Sequence, residues 1–297
     1  MKKFLVSALA LTIFSVSGST SEGIPPFEKL ENVMAKPIQI IEEIKLPENE
    51  PYILADESFS NLQLEDIDKP IYDKYSISER QERGLTTYLP EVAPYREEKV
   101  AYLTFDDGPD AKVTPQILDI LKKENVKATF FVLGNMVEQN PKVLKRIFDE
   151  GHAIGNHSYN HVYSELYRSP YDFVDQFIKT DEIIKKCIGV RPLIIRAPGG
   201  AAGVFNNDYW NMLDYCGYVE YDWNICTEDA TASAPNAATQ INNVKKQMGD
   251  DPPRALVILM HSKDGKEETA KALPKLIHML RDSGYKFGVV TPMTPQY

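Results

Sequence analysis

Asp106 and Asp107 stand side by side in the stretch TFDDGPD, between the apolar run Val100 to Leu103 and a Gly-Pro turn. Successive side chains on an extended segment point in roughly opposite directions, so one acid can hold a metal ion while its neighbour stays free as a base. Further along, His157 and His161 in NHSYNH are four residues apart, and on a helical turn both imidazoles would face one ion. With Asp107 they form a set of two nitrogens and one oxygen, which suits Zn²⁺ or a similar divalent ion and leaves positions for water and substrate. Non-haem Fe(II) oxygenases use the same set, so ligand type alone does not choose the reaction. Without the strand and the distant histidines, a solvated Asp-Asp turn is the plainer reading of DDGP.

These residues need elements that bring them together. Short apolar runs at 100–105, 128–133, 152–155, 193–196, 218–223, 255–260 and 286–290 predict strands, with amphipathic segments between them. TPQILDILKKE predicts a helix capped by Thr114 with Pro115 in its first turn. NPKVLKRIFDEG predicts another, capped by Asn140 and stopped at Gly151. Seven β/α units in about 200 residues imply a parallel sheet, open or closed into a barrel. In such folds the loops after the strands share one face. Asp106, Asp107, His157, His161, Arg196, Asp229 and His261 all fall at or just after strand ends, and are expected on that rim.

The rest of the chain bounds where this chemistry takes place. Met1-Lys2-Lys3, an apolar run to about Val16 and small residues to Ser19 predict a signal peptide over 1–19, too short for the roughly 20 apolar residues of a membrane span. The expectation is a secreted, extracellular or wall-associated protein without stable membrane insertion. Residues 20–97 are rich in proline and acids and are read as a linker or weakly ordered region, with a small strand-containing subdomain as the alternative. A formal charge of −10 disfavours nucleic acid as a partner. The three cysteines, Cys187, Cys216 and Cys226, lack metal-site spacing and are read as buried thiols, and His152 and His278 as structural.

In order, TFDDG, HSYNH, RAPGG, WNICTEDA and LMH resemble the five motifs of the polysaccharide deacetylases with the NodB-type domain, carbohydrate esterase family 4. The resemblance covers about residues 98–295, within a domain expected to run over 98–297. It implies a deformed (β/α)7-type barrel and one divalent metal ion, Zn²⁺ first, with Co²⁺, Ni²⁺ or Mn²⁺ as other candidates. It makes Asp107, His157 and His161 the ligands, Asp106 the base oriented by Arg196, and His261 the acid paired with Asp229. Gly199 and Leu259 are read as oxyanion and substrate residues, and Trp223 with Tyr221 as aromatics able to stack on a sugar ring, with a place in the strand core as the alternative. Two positions depart from the pattern: Gly199 stands where an aromatic is usual and Ala230 where a tryptophan is usual, and both changes should open the groove. The implied reaction is removal of N-acetyl groups from an N-acetylated glycan, with peptidoglycan as the expected polymer. An O-acetyl esterase acting on acetylated xylan, and a catalytically silent sugar-binding wall protein, are the alternatives.

Overall fold

A computed structural model describes residues 51–62, 66–90 and 96–295; the predicted signal peptide and residues 20–50 lie outside the described residues. Strands β1 (Ile53–Leu54) and β2 (Ile71–Asp73) and helix α1 (Ile77–Glu82) precede the main domain. That domain begins with β3 (Val100–Asp106), α2 (Val113–Glu124), β4 (Thr129–Val132), α3 (Gly134–Gln139), α4 (Pro141–Asp149) and β5 (Ala153–Asn156). It continues through α5 (Tyr163–Leu166), α6 (Pro170–Ile188), β6 (Arg191–Pro192), β7 (Ile194–Ile195), α7 (Asn207–Cys216), β8 (Val219–Glu220) and β9 (Ile225–Cys226). It ends with α8 (Ala237–Met248), β10 (Ala255–His261), α9 (Glu267–Asp282) and β11 (Lys286–Gly288).

Seven strands run parallel in the order β8-β7-β5-β4-β3-β10-β9, and β11 pairs with the first half of β3 while β4 pairs with its second half. The outermost strands, β8 and β9, are joined by Tyr221 to Asn224 alone. From the Cα of Glu220 to that of Ile225 the chain reaches at most about 19 Å. A flat seven-stranded sheet would hold its edges about 29 Å apart. The sheet therefore curls into the deformed barrel expected, with this crossing segment spanning its gap. The crossing also explains why residues 218–223 are not one strand: the chain leaves the sheet at Glu220 and rejoins it at Ile225, where Asn224 N–H donates to Val257 O.

Alternation along the strands sorts residues into two layers. Ala101, Leu103 and Phe105 of β3 and Leu256, Ile258 and Met260 of β10 pack among the helices. Val100, Tyr102 and Val257 pack inside the curl with Phe131 and Ile194. Gly155 of β5 is required there, since a Cβ would lie 2.4 Å from the Phe131 ring.

Both predicted helices form, but with different caps. Asp110, not Thr114, accepts from the N–H groups of Val113 and Thr114 at 2.9 and 2.7 Å. Asn140 occupies the cap position of α4 without a capping hydrogen bond; its side chain donates to Pro109 O and Met136 O instead. Only Cys216 of the three free cysteines is buried, whereas Cys187 and Cys226 are half-buried. His152 is structural as read, accepting from Ala128 N–H, and burial pushes its pKa down to about 3.

Residues 51–62 and 66–90 differ from the linker expected of them. β2 pairs antiparallel with β6, and Asp73 accepts from Arg80 Nε at 2.6 Å and from Arg191 Nη2 at 3.2 Å, with all three side chains fully buried. The acidic composition hides this because Asp73 and Glu79 find their partners partly in the main domain, at Arg191 and Lys185. Asp73→Ala should cost about 3–5 kcal/mol, since it removes the carboxylate shared by two buried guanidinium groups and leaves Arg80 with backbone acceptors alone and Arg191 with Asp181 at 3.6 Å. A matching fall in the denaturant midpoint is expected; a change within 1 kcal/mol, on the order of a surface ion pair, would show that the cluster contributes little.

Candidate active site

The parity that builds the barrel also aims the site. Asp106 and His261 are register partners at the ends of β3 and β10, on the face that carries Val100, Tyr102 and Val257. Asn156, the last residue of β5, points to the helix side, where it donates to Phe177 O and Asp181. His157, one residue on, therefore faces inward, and Arg196 does the same after β7.

The two acids do not diverge as an extended segment would make them. Asp107 has φ 71°, so the chain turns directly after β3 and both carboxylates face His157. Asp106 Oδ2 lies 3.7 Å from His157 Nε2, and Asp107 Oδ1 lies 3.6 Å from the same nitrogen and 3.7 Å from His161 Nε2. His157 and His161 likewise converge through a loop, not a helical turn: Ser158 has φ 73° and His161 φ 59°. Tetrahedral bonds of about 2.1 Å separate ligand atoms by roughly 3.4 Å, close to these distances.

Surroundings give each group a distinct state. Arg196 Nη1 donates to Asp106 Oδ1 at 2.9 Å and to Thr104 Oγ1 at 2.8 Å, and its Nε donates to Tyr221 O. Lys263 Nζ donates to Asp107 Oδ2 at 2.7 Å, whereas Asp107 Oδ1 is buried with no hydrogen-bond partner. Burial opposes the Asp107 charge, but His157, His261 and Lys263 outweigh it and hold the pKa down at about 2. His157 Nδ1 lies 2.8 Å from Arg196 O; donation to that carbonyl leaves Nε2 as the lone-pair nitrogen facing Asp107. Burial lowers the His157 pKa, against the pull of Asp106 and Asp107, and so favours the neutral ring that a ligand needs. A buried, unpartnered carboxylate oxygen between two imidazole nitrogens fits a divalent cation.

His261 sits across from this set, its Nε2 4.0 Å from Asp107 Oδ2. Its Nδ1 donates to Asp229 Oδ1 at 2.8 Å, and Asp229 Oδ2 accepts from His261 N–H and Thr269 Oγ1. Burial works against an imidazolium here, but the bond to Asp229 and the carboxylate charges prevail and raise the pKa.

Gly199 is exposed at φ 81°, in the loop after Arg196. Its small size does not open the groove as expected, because a Cβ would lie 2.6 Å from Tyr163 Oη: a side chain from another loop occupies that space. Ala230 is exposed. Trp223 is half-buried, packed on the inner cluster with its ring 5.8 Å from the Arg196 guanidinium, and Tyr221 is core. Leu259 is half-buried on β10, its carbonyl accepting from Thr227 N–H. Sequence reading missed Lys263, Thr104 and Tyr163. Lys263 and Tyr163 each lie two residues from a motif histidine, which was the available signal; Thr104 was visible only through the inward parity it shares with Asp106.

A curled parallel sheet with these acids and histidines at its strand ends defines the class, and comparison with known proteins agrees. Residues 94–221 match the model of the family described as polysaccharide deacetylase. A peptidoglycan-N-acetylglucosamine deacetylase of Bacillus cereus is 40% identical over 207 residues, 67% of this chain and 70% of that protein. Among solved structures, the catalytic domain of peptidoglycan N-acetylglucosamine deacetylase from Eubacterium rectale superposes with a TM-score of 0.63 at 31% identity, covering 69% of this chain and 95% of that one. A CE4 esterase from Streptococcus mutans superposes at 0.62 and 31%, covering 71% and 94%. The chain belongs to the polysaccharide deacetylase family.

Proposed function

We propose that the chain is a metal-dependent deacetylase that removes the acetyl group from N-acetylglucosamine units of peptidoglycan, at or outside the cell surface. The observation that carries the metal is the buried Asp107 Oδ1, unpartnered and within 3.7 Å of both His157 Nε2 and His161 Nε2. Asp107, His157 and His161 would hold the ion, with Zn²⁺ the best fit to this donor set. When bound, a divalent ion acidifies water and polarises the acetyl carbonyl.

The protein's own groups do the remaining work. Asp106 has one oxygen fixed by Arg196 and the other facing His157, so Oδ2 accepts the proton of the attacking water. Arg196 is a positioning residue, held in turn by Thr104 and Tyr221 O. As the carbonyl becomes tetrahedral, the Gly199 N–H is the backbone donor assigned to the oxyanion. His261 carries its mobile proton on Nε2, because Nδ1–H is committed to Asp229, and passes it to the departing amine. Leu259 and Trp223 form the adjoining walls.

Asp229→Asn should lower kcat by about 10², since an amide cannot supply the charge that holds the proton on His261 nor accept on both sides as the carboxylate does. Unchanged kcat with intact metal content would remove His261 as the acid or Asp229 as its support. The proposal as a whole is tested by measuring acetate release from peptidoglycan, chitooligosaccharides and acetylated xylan, with and without added Zn²⁺. Release from peptidoglycan is expected; release from xylan alone would make the protein an O-acetyl esterase, and release from none would leave a sugar-binding protein.

A further inference from the structure

We propose that Tyr163 is a glycan-binding residue, its ring forming a platform beside His161 against which a sugar ring of the polymer packs. This rests on the deacetylase reading and adds a contact to it. Tyr163 opens α5 and keeps 51% of its surface exposed, although it is a large aromatic. Exposed aromatics are common singly and mean little alone. Trp210 and Tyr88 are exposed too, but the rings they pack against are Phe205 and Tyr215, not a histidine of the site.

Tyr163 differs in what holds it. Its ring centroid is 5.3 Å from that of His161, at 74°, and 5.8 Å from that of Tyr167. Tyr167 is itself pinned by its hydroxyl donating to Pro198 O at 2.6 Å and by packing on Phe173. The Tyr163 phenol lies over Gly199, where even a methyl group would collide with it. The side chain thus joins the loop of His161 to the loop of Gly199 and stays half in solvent. A pyranose presents an apolar C–H face edged by hydroxyls, and a fixed aromatic with a polar tip matches both parts.

The alternative role for Tyr163 is to brace His161, and the test separates the two. Binding of an N-acetylglucosamine pentasaccharide is measured by calorimetry on the Zn²⁺-loaded Asp106→Asn protein, where turnover is suppressed, and Zn²⁺ affinity is measured separately. Tyr163→Ala should weaken pentasaccharide binding about tenfold, the loss of an aromatic contact of about 1.4 kcal/mol, with the Zn²⁺ Kd unchanged. Tyr163→Phe should retain most of the binding. Pentasaccharide binding within twofold of the parent in Tyr163→Ala overturns the proposal. So does a Zn²⁺ Kd that weakens in step with glycan binding, which would make Tyr163 a brace only. Absence of acetate release from every glycan by the wild-type enzyme would instead overturn the deacetylase reading beneath it.

Discussion

Replacing Asp106 by asparagine is expected to lower kcat by about 10² to 10⁴, the usual loss on removing a general base, while KM and metal content stay near those of the wild type. The amide has the size of the carboxylate and suits a site this buried. Its oxygen can still accept from Arg196, which donates to Oδ1 at 2.9 Å. The atom that changes is the one facing His157, where an NH₂ group replaces an oxygen able to take a proton. Metal is retained because the converging ligand atoms belong to Asp107, His157 and His161. Steady-state acetate release paired with metal analysis decides the matter. Near-normal turnover by a fully loaded variant would show that Asp106 is not the base, and parallel loss of metal would make it a ligand.

Much of this site was legible because period-two alternation and strand ends are written in local sequence. β3 and β10 read clearly: each is a seven-residue strand built on a mainly apolar six-residue run, and their last residues are Asp106 and His261. The two-residue strands β6, β8 and β9 carry too little periodicity to be bounded, and β9 lies inside the motif WNICTEDA. The N-terminal segment was obscured by composition, although SISE at Ser76 to Glu79 spells a capping box that the structure contains: Glu79 N–H donates to Ser76 Oγ and Ser76 N–H to the Glu79 carboxylate.

Convergence of the ligands was anticipated on a premise the backbone does not follow. A helical turn for His157 and His161 and an extended pair for Asp106 and Asp107 would both have required negative φ. The structure uses left-handed residues at Asp107, Ser158 and His161 instead. Such conformations cost non-glycine residues energy and concentrate at functional sites. No local pattern announces them, because what stabilises them is the packing of loops from different strands. Gly199 shows the same limit: its sequence suggested a gap, and a tyrosine distant in the chain fills it.

Asp107→Asn should abolish both activity and the stabilisation that metal gives the fold. Asparagine tolerates the left-handed conformation that Asp107 adopts at φ 71°, so the backbone turn survives. Lys263 loses its anionic partner and keeps at most a neutral amide oxygen as acceptor, but its side chain is 46% exposed and the ammonium can turn to water. What disappears is the negative charge at the buried oxygen 3.6 Å from His157 Nε2 and 3.7 Å from His161 Nε2. Two neutral imidazoles and an amide hold a divalent ion far more weakly than a set containing a carboxylate. For the wild type, Zn²⁺ at 100 times its Kd should stabilise the fold by about 2.7 kcal/mol, since the ion binds the folded state preferentially. The asparagine variant at the same Zn²⁺ concentration should gain nothing, and its acetate release should fall to or below that of Asp106→Asn. Denaturation of chelator-treated protein with and without Zn²⁺ reads the first effect without relying on turnover. A crystal soaked in Zn²⁺ adds the geometry, with the ion expected about 2.0 to 2.2 Å from Asp107 Oδ1 and both Nε2 atoms. Equal stabilisation of variant and wild type, or an ion bound while these three side chains splay apart, would transfer the metal site to other residues and leave the unpartnered Asp107 oxygen without an explanation.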